Sequence, residues 1–472
     1  MAENGKRYQS SIRMTWNRIV PYLGTGDFYG RMFRIALPIA LQSLIQIGVN
    51  MMDTVMLGAL GETAISASAL ANQFITIYHI ACMGIGMGAS VMVSRYWGRR
   101  DIASLKKSVT IMLRLCIIIG VAFSAVTACL PAQIIRIYSP DAAVITAGAS
   151  YLRWSVLTYL LLGISLDLTL VLRSVGKAVV PLICSSIGFL SNLFFNWVFI
   201  FGKMGAPRME VAGAALGTLL SRLIECALIV LYFWKYETDI RYTIRDFCSG
   251  CGDLVREYMK ICIPVLISDS LLAVGNSAIA VIMGHIGASF VAANSITSVT
   301  QQLTTVLTQG IAQAGCIETG HTLGEGDRER AQREGYTFIL FAAFLGVVGA
   351  VIILLIKQPV IGMYNITEST RATAGQLMNA IALILIFQST NSVLTKGVLR
   401  GGGDTRFLML GDVLFLWAAS VPLGILSGLV FHWSAFWIYF FMKIDQIIKC
   451  VWCVWRLHSG KWIRAIQSSN LS

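Results

Sequence analysis

Residues Leu37–Gly61 read LPIALQSLIQIGVNMMDTVMLGALG. The run is apolar enough and long enough to cross a bilayer, for which about 20 residues suffice. Near its far end stands an aspartate, Asp53. A carboxylate at the centre of a membrane helix costs about 2.5–3.5 kcal/mol on insertion scales, and such acids are by default functional. The stretch therefore poses two questions: what kind of chain surrounds it, and what the acid does.

The surroundings answer the first. Of the 472 residues, 56% are hydrophobic and 13% charged, and the mean hydropathy is +0.70. A soluble chain of this length would carry about 25% charge. Apolar runs recur from end to end and predict about twelve spans. They cover 32–60, 63–94, 105–130, 142–172, 178–201 and 210–234, then 258–286, 288–320, 335–356, 370–399, 406–430 and 434–457. Strands are excluded, because open sheet edges cannot face lipid. The first 30 residues are polar and basic, and the run after them is too long for a signal-peptide core, so no cleavable leader is expected.

The net charge of +13 is not a nucleic-acid footprint. Of the 37 Lys and Arg residues, 28 fall on one side of the predicted spans and only five (Arg136, Lys203, Arg208, Lys357 and Arg371) on the other. The positive-inside rule then puts both termini in the cytoplasm of a multi-pass inner (plasma) membrane protein. The expected organisation is a cytoplasmic tail (1–30), a first lobe (31–234), a cytoplasmic linker (235–257), a second lobe (258–457) and a C-terminal tail (458–472).

The chain is written twice. A shift of 226 takes Pro38 to Pro264, Asn50 to Asn276, Gly58 to Gly284, Gly61 to Gly287 and Asp101 to Asp327; a shift of 227 takes Arg173 to Arg400. Each half has six spans, an even number, so both start on the same side. The repeats are parallel, related by an axis along the membrane normal. The fold class expected is thus an all-α membrane protein with two six-helix lobes around a central cavity, in which one lobe rocks against the other.

Polar stripes support a wetted pathway. Gln42, Gln46, Asn50 and Asp53 step by four, four and three, and so share one helical face. Asn72, Thr76 and His79 do the same on the second span. Ser298, Gln302, Thr305 and Gln309 form a matching stripe in the second half, and Gln388, Asn391 and Thr395 another. One stripe alone reads equally well as interhelical hydrogen bonding, at about 0.6 kcal/mol each; four stripes favour a cavity. Asn192 and Asn196 lie one turn apart on the fifth span, at an outer depth similar to that of Asp53. If the first and fifth spans are neighbours, a carboxylate and two amides meet there. Asp53 has no basic residue at i±3 or i±4, so it is suited to exchange a proton, or to hold Na⁺ together with amide oxygens. The repeat puts Ile279 at the equivalent position, so only the first lobe has this acid.

Other intramembrane charges have simpler readings. Arg222/Glu225 and Asp445/Lys449 have helical spacing for neutralising pairs. Asp167 reads as a partner close to the membrane surface, near Arg173. Asp269, seven residues before Asn276, is a candidate to face the cavity. Eleven cysteines include two C-x-x-C pairs, Cys248/Cys251 and Cys450/Cys453, but no His or Asp spacing supports a structural zinc site. H-E-x-x-H, G-x-S-x-G and Walker A patterns are missing, which weighs against a membrane-embedded enzyme or a nucleotide-driven pump.

At this point the residues resemble a known family. The opening stretch, RYWGRRD (95–101), NWVFIFG (196–202), VAGAALGT (211–218) and LRGGGDT (399–405) look like the multidrug and toxic compound extrusion (MATE) family, over about residues 30–457. The resemblance implies two six-helix bundles and H⁺- or Na⁺-driven antiport of amphipathic, often cationic drugs and metabolites. No cofactor beyond the coupling ion is expected, the partners are small organic molecules and the lipid bilayer, and a monomer is anticipated. Asp53 matches the family's aspartate on the first helix, implicated in cation coupling, and would be the metal ligand if the ion is Na⁺. Asn192 matches an asparagine of one prokaryotic branch, which has an aspartate where this chain has Asn196. The norfloxacin-efflux-like branch carries acids on the seventh and tenth helices; the nearest residues here are Asp269, out of register, and the uncharged Asn391. Flippases of the same superfamily share the bundle design, but commonly with about fourteen spans.

Overall fold

The computed structural model describes residues 24–364 and 366–464; the first 23 residues of the expected N-terminal tail and the last eight of the C-terminal tail lie outside the described residues. Among these residues the chain is helical throughout. The elements that matter are α1 (Gly26–Gly58), α2 (Glu62–Gly98), α3 (Ile102–Cys129), α4 (Pro131–Arg136), α5 (Ala142–Trp154), α6 (Thr158–Ser174), α7 (Val179–Phe201) and α8 (Glu210–Tyr236). They continue with α9 (Ile244–Cys248), α10 (Gly252–Ile286), α11 (Ala288–Gly324), α12 (Arg328–Gly362), α13 (Glu368–Gly401), α14 (Thr405–Val430), α15 (Ala435–Met442) and α16 (Ile444–His458).

Nine described helices are long and apolar enough to span a membrane, ten if the pair α5–α6 is one span bent by 56°. The expected 142–172 span is this broken pair. The expected 434–457 span is likewise divided, at Lys443 between α15 and α16. Helix α11 has 37 residues, and its face of Gln and Thr lowers its apolarity.

The internal repeat is visible in backbone geometry. Gly61 and Gly287 both take positive φ (107° and 146°) where α1 turns into α2 and α10 into α11. Such values are open to glycine and costly for residues with a Cβ. Asp101 and Asp327 each cap the next helix, accepting from Ser104 N at 3.0 Å and Arg330 N at 2.8 Å. A side-chain oxygen there satisfies one of the backbone donors left over in a first helical turn.

Compactness divides the described chain into two units, one of residues 38–271 and the other of those up to Leu37 and from Leu272 onward. Helix α1 contributes to both units, changing at Pro38, and α10 does so at Leu271/Leu272, two turns after Pro264. A proline inside a helix lacks an N–H and crowds the carbonyl four residues back, which loosens that turn.

In the unit of residues 38–271, α2 packs on α3, α5 and α6, and α7 packs along α8. Small residues set the approach. A Cβ on Gly88 of α2 would sit 3.0 Å from Cys262 Cα in α10, and Tyr258 Oη donates to the Ile85 carbonyl at 2.7 Å. In the other unit the first turns of α1 are stapled by Arg31, which bonds Glu318 at 3.2 Å and lies 3.5 Å from Glu334. Phe28 stacks edge-on against Phe338 there.

Candidate functional site: a polar cavity around Asp53

The unit of residues 38–271 encloses a cavity of about 620 Å³. The stripe on α1 lines it with all four members, Gln42, Gln46, Asn50 and Asp53, and α2 adds Asn72, Thr76 and His79. Helical spacing is the cause, since steps of three and four residues keep side chains on one face. A lipid-facing wall of amides would leave polar groups unsatisfied, so this face turns inward.

Asp53 is met from α7. Asn196 Nδ2 donates to Asp53 Oδ1 at 2.6 Å and lies 3.2 Å from Asn192 Oδ1, and Asn192 Nδ2 reaches Thr218 Oγ1 on α8 at 3.4 Å. Both asparagines are buried, Asn196 completely. The oxygen of the same amide is unusual: Asn196 Oδ1 is buried with no hydrogen-bond partner. The close approach of α7 to α8 follows from G-x-x-x-G at Gly213 and Gly217, a pattern that lets helix backbones come together. A Cβ on Gly217 would lie 2.2 Å from Asn196 Oδ1.

A second chain of polar groups runs along the same wall. Arg173 donates to Gln42 Oε1, Gln42 Nε2 donates to Ser185 Oγ at 2.6 Å, and Ser185 donates to Glu225 Oε1 at 2.7 Å. Arg222 closes the chain on Glu225 Oε2 at 2.7 Å. The pair Arg222/Glu225 is thus formed as its spacing predicts, but it also lines the cavity. Asp167 is fully buried within the protein, and both its oxygens lack hydrogen-bond partners. Tyr151 on α5, Thr218 and Ser185 are cavity residues that the sequence reading did not single out; Tyr151 Oη donates to Asn72 Oδ1 at 3.3 Å.

Residues 38–198 and 264–426 match the MatE family, and the two matches begin at Pro38 and Pro264, the offset of the internal repeat. The chain belongs to the MatE family. Among similar relatives are the probable multidrug resistance proteins NorM of Thermotoga maritima (24% identical, 91% of this chain and 92% of the relative) and of Mesorhizobium japonicum (27%, 85% and 86%). Of the solved structures, an outward-facing multidrug resistance MATE transporter of the MOP superfamily matches with a TM-score of 0.82 at 18% identity, over 91% of this chain and 96% of that one. The fold is the MATE fold, with many membrane spans in two lobes. As a member of the MatE family the protein is a transporter and not an enzyme.

The second half of this MATE transporter does not repeat the Asp53 arrangement. Asp269 is half-buried and outside the lining of the Asp53 cavity, and Asn276 and Gln302 are exposed. Gln388 accepts from Gln301 Nε2 at 2.7 Å, and Asn391 is buried with its amide donating to Gln446 Oε1 at 2.9 Å. Gln446 in turn donates to Asp445 at 2.7 Å. Lys449 bridges Asp445 (3.0 Å) and Asp412 (3.2 Å), all three buried. Among the described residues no three His, Cys, Asp or Glu side chains are grouped as for a metal ion.

Proposed function

We propose that this transporter exports amphipathic, cationic organic molecules across the plasma membrane in exchange for H⁺, with Asp53 as the coupling acid and Asn196, Asn192 and Thr218 as its support. The observation that carries the reading is the pairing of Asp53 with a neutral amide. Among the described residues Asp53 makes no ion pair within 4 Å, so its charge is left to be neutralised by a proton or by a cationic substrate. One carboxylate that serves both in turn is the minimum needed for antiport. Asn196 suits both states. Its Nδ2 serves the ionised acid, and the unpartnered Oδ1, turned over, would accept from the protonated one.

The cavity supplies the rest. Gln46, Asn50, Asn72, Thr76 and His79 offer hydrogen bonds, and Leu57, Ile65, Ile75 and Met83 offer apolar contact within the same walls. A mixed lining of this kind suits amphipathic ligands. The 28-to-5 charge bias supports a cytoplasmic position for both termini and the 235–257 linker.

The test is efflux of a fluorescent cation from proteoliposomes with H⁺ and Na⁺ gradients imposed in turn, on wild type and Asp53→Asn. Wild-type export should follow ΔpH without Na⁺. Asp53→Asn keeps size and hydrogen bonding, so it should assemble yet lose gradient-driven export. Export by the variant at the wild-type rate, with equal protein in the membrane, would remove Asp53 from the mechanism. Export that follows Na⁺ alone would make Na⁺ the coupling ion.

A further inference from the structure

Glu225 is a second carboxylate in the wall of the Asp53 cavity, and nothing in the coupling scheme above uses it. It is buried, and its two oxygens are engaged differently: Oε1 accepts from Ser185 and Oε2 from Arg222, each at 2.7 Å. A buried ion pair is weak evidence for stability, because the cost of removing both charges from water offsets their attraction.

Between this carboxylate and the Asp53 group lies a small side cavity of about 30 Å³. Room for one water needs about 10–15 Å³ and several polar partners. Asn192 and Thr218, which support Asn196 and hence Asp53, line it at one end; Ser185, Glu225 and Arg222 line it at the other. The two carboxylates are therefore linked through Asn196, Asn192 and Thr218 and a water-sized space of mixed lining. The Glu225 end is the inner one on the orientation proposed above. Gln42, which shares Ser185 with it, precedes Asp53 by 11 residues, about 16 Å along α1.

We propose that Glu225 is the proton acceptor through which Asp53 is discharged toward the cytoplasm. The step moves one proton and breaks no other bond. Asp53–COOH and Glu225–COO⁻ become Asp53–COO⁻ and Glu225–COOH, carried by water in the two cavities, and Glu225 then gives the proton to water on the inner side. Arg222 and Arg173 remain cationic throughout. The groups around Glu225 are Arg222 and the Cys226 thiol on its own helix, Ser185 and the Cys184 thiol on α7, and Arg173 of α6, which reaches it through Gln42 and Ser185. This role rests on the proton-coupled reading of Asp53.

Two transport modes separate a proton carrier from a packing residue. Net efflux of ethidium driven by ΔpH needs Asp53 to be discharged in every cycle; exchange of ethidium for ethidium at equal pH does not. Glu225→Gln should slow net efflux about a hundredfold or more, since a positioned proton-transfer group contributes about 10²–10⁴-fold. Exchange should fall by much less than net efflux, and Glu225→Asp should recover part of the net rate. If exchange and net efflux fall together, Glu225 is structural and the proposal is overturned; the same follows if neither falls. Should Glu225→Gln fail to assemble, Glu225→Asp and Ser185→Ala are read by the same two rates. Coupled export by Asp53→Asn would instead sink the underlying reading of Asp53, whatever Glu225 does.

Discussion

A methyl group added at Gly217 would arrive 2.2 Å from Asn196 Oδ1 and 3.0 Å from the Asn196 backbone nitrogen. Non-bonded contacts to carbon are comfortable near about 3.5 Å. Either the Asn196 side chain retreats by about 1 Å or α7 moves off α8, and overpacking of this kind costs about 1–3 kcal/mol. The retreat acts directly on the site, because the bond from Asn196 to Asp53 is only 2.6 Å long and 1 Å of displacement opens it. Hydrogen bonds to charged groups contribute about 1.5–3 kcal/mol, and about 1.4 kcal/mol corresponds to tenfold in rate. Gly217→Ala should therefore reach the membrane with a lowered melting midpoint and lose about tenfold or more of its ΔpH-driven efflux per folded molecule. Gly213→Ala is the control. Its Cβ would meet the Phe199 carbonyl oxygen at 2.5 Å, one turn away along the same helix interface, and its nearest atoms belong to Phe199 and Ile200 rather than to the Asn196 amide. It should lose stability without the specific loss of coupling. If the two variants lose efflux in the same proportion to their loss of stability, or if Gly217→Ala transports like wild type, the amide is not positioning the acid and the reasoning fails.

Other perturbations have equally definite outcomes. Lys449→Met leaves Asp412 and Asp445 buried without their shared cation, and removing one partner of a buried pair costs about 3–5 kcal/mol; the melting midpoint in detergent should drop sharply and recover in the triple variant that also carries Asp412→Asn and Asp445→Asn. At the end of α6, Lys177 bonds Asp239 at 2.6 Å and Glu237 at 2.7 Å, and its ammonium holds the Asp239 carboxyl below the usual carboxylate range. A depressed folded value means that this contribution is fully present above the ordinary value of about 3.9 and is lost as pH falls through the lower folded one. Thermal stability should accordingly fall below about pH 4 in wild type and fall less in Asp239→Asn, and parallel pH profiles would dismiss the pair as a contributor.

The fold was legible because two signals were redundant. Membrane helices must satisfy their backbone internally, so apolar length alone locates them, and a shift of 226 residues recurs in caps and left-handed glycines as well as in letters. The exceptions have local causes. The 142–172 span breaks because Ser155–Leu157 interrupt two helices that meet at 56°, and nothing in an apolar run records an angle. The stripe on α1 and α2 was equally plain, since a period of three to four residues specifies a face whatever lies opposite it.

What lies opposite is a matter of tertiary approach, and there the sequence is nearly silent. Arg173 stands at the end of its helix, where a cation ordinarily belongs to the membrane surface, yet it turns to Gln42. Arg222 and Glu225 satisfy each other at i,i+3, and that local sufficiency conceals Ser185 reaching Glu225 from α7. One signal was available: VAGAALGT places Thr218 directly after the G-x-x-x-G that brings α8 against α7, so a hydroxyl at that close approach was bound to meet whatever polar group α7 presents. Asn192 and Asn196 are that polar group, and the small residues that allow the contact also fix how little room the amide has. The site is thereby set by packing as much as by chemistry: Asp53 supplies the charge, but the glycines of α8 decide where its partner stands.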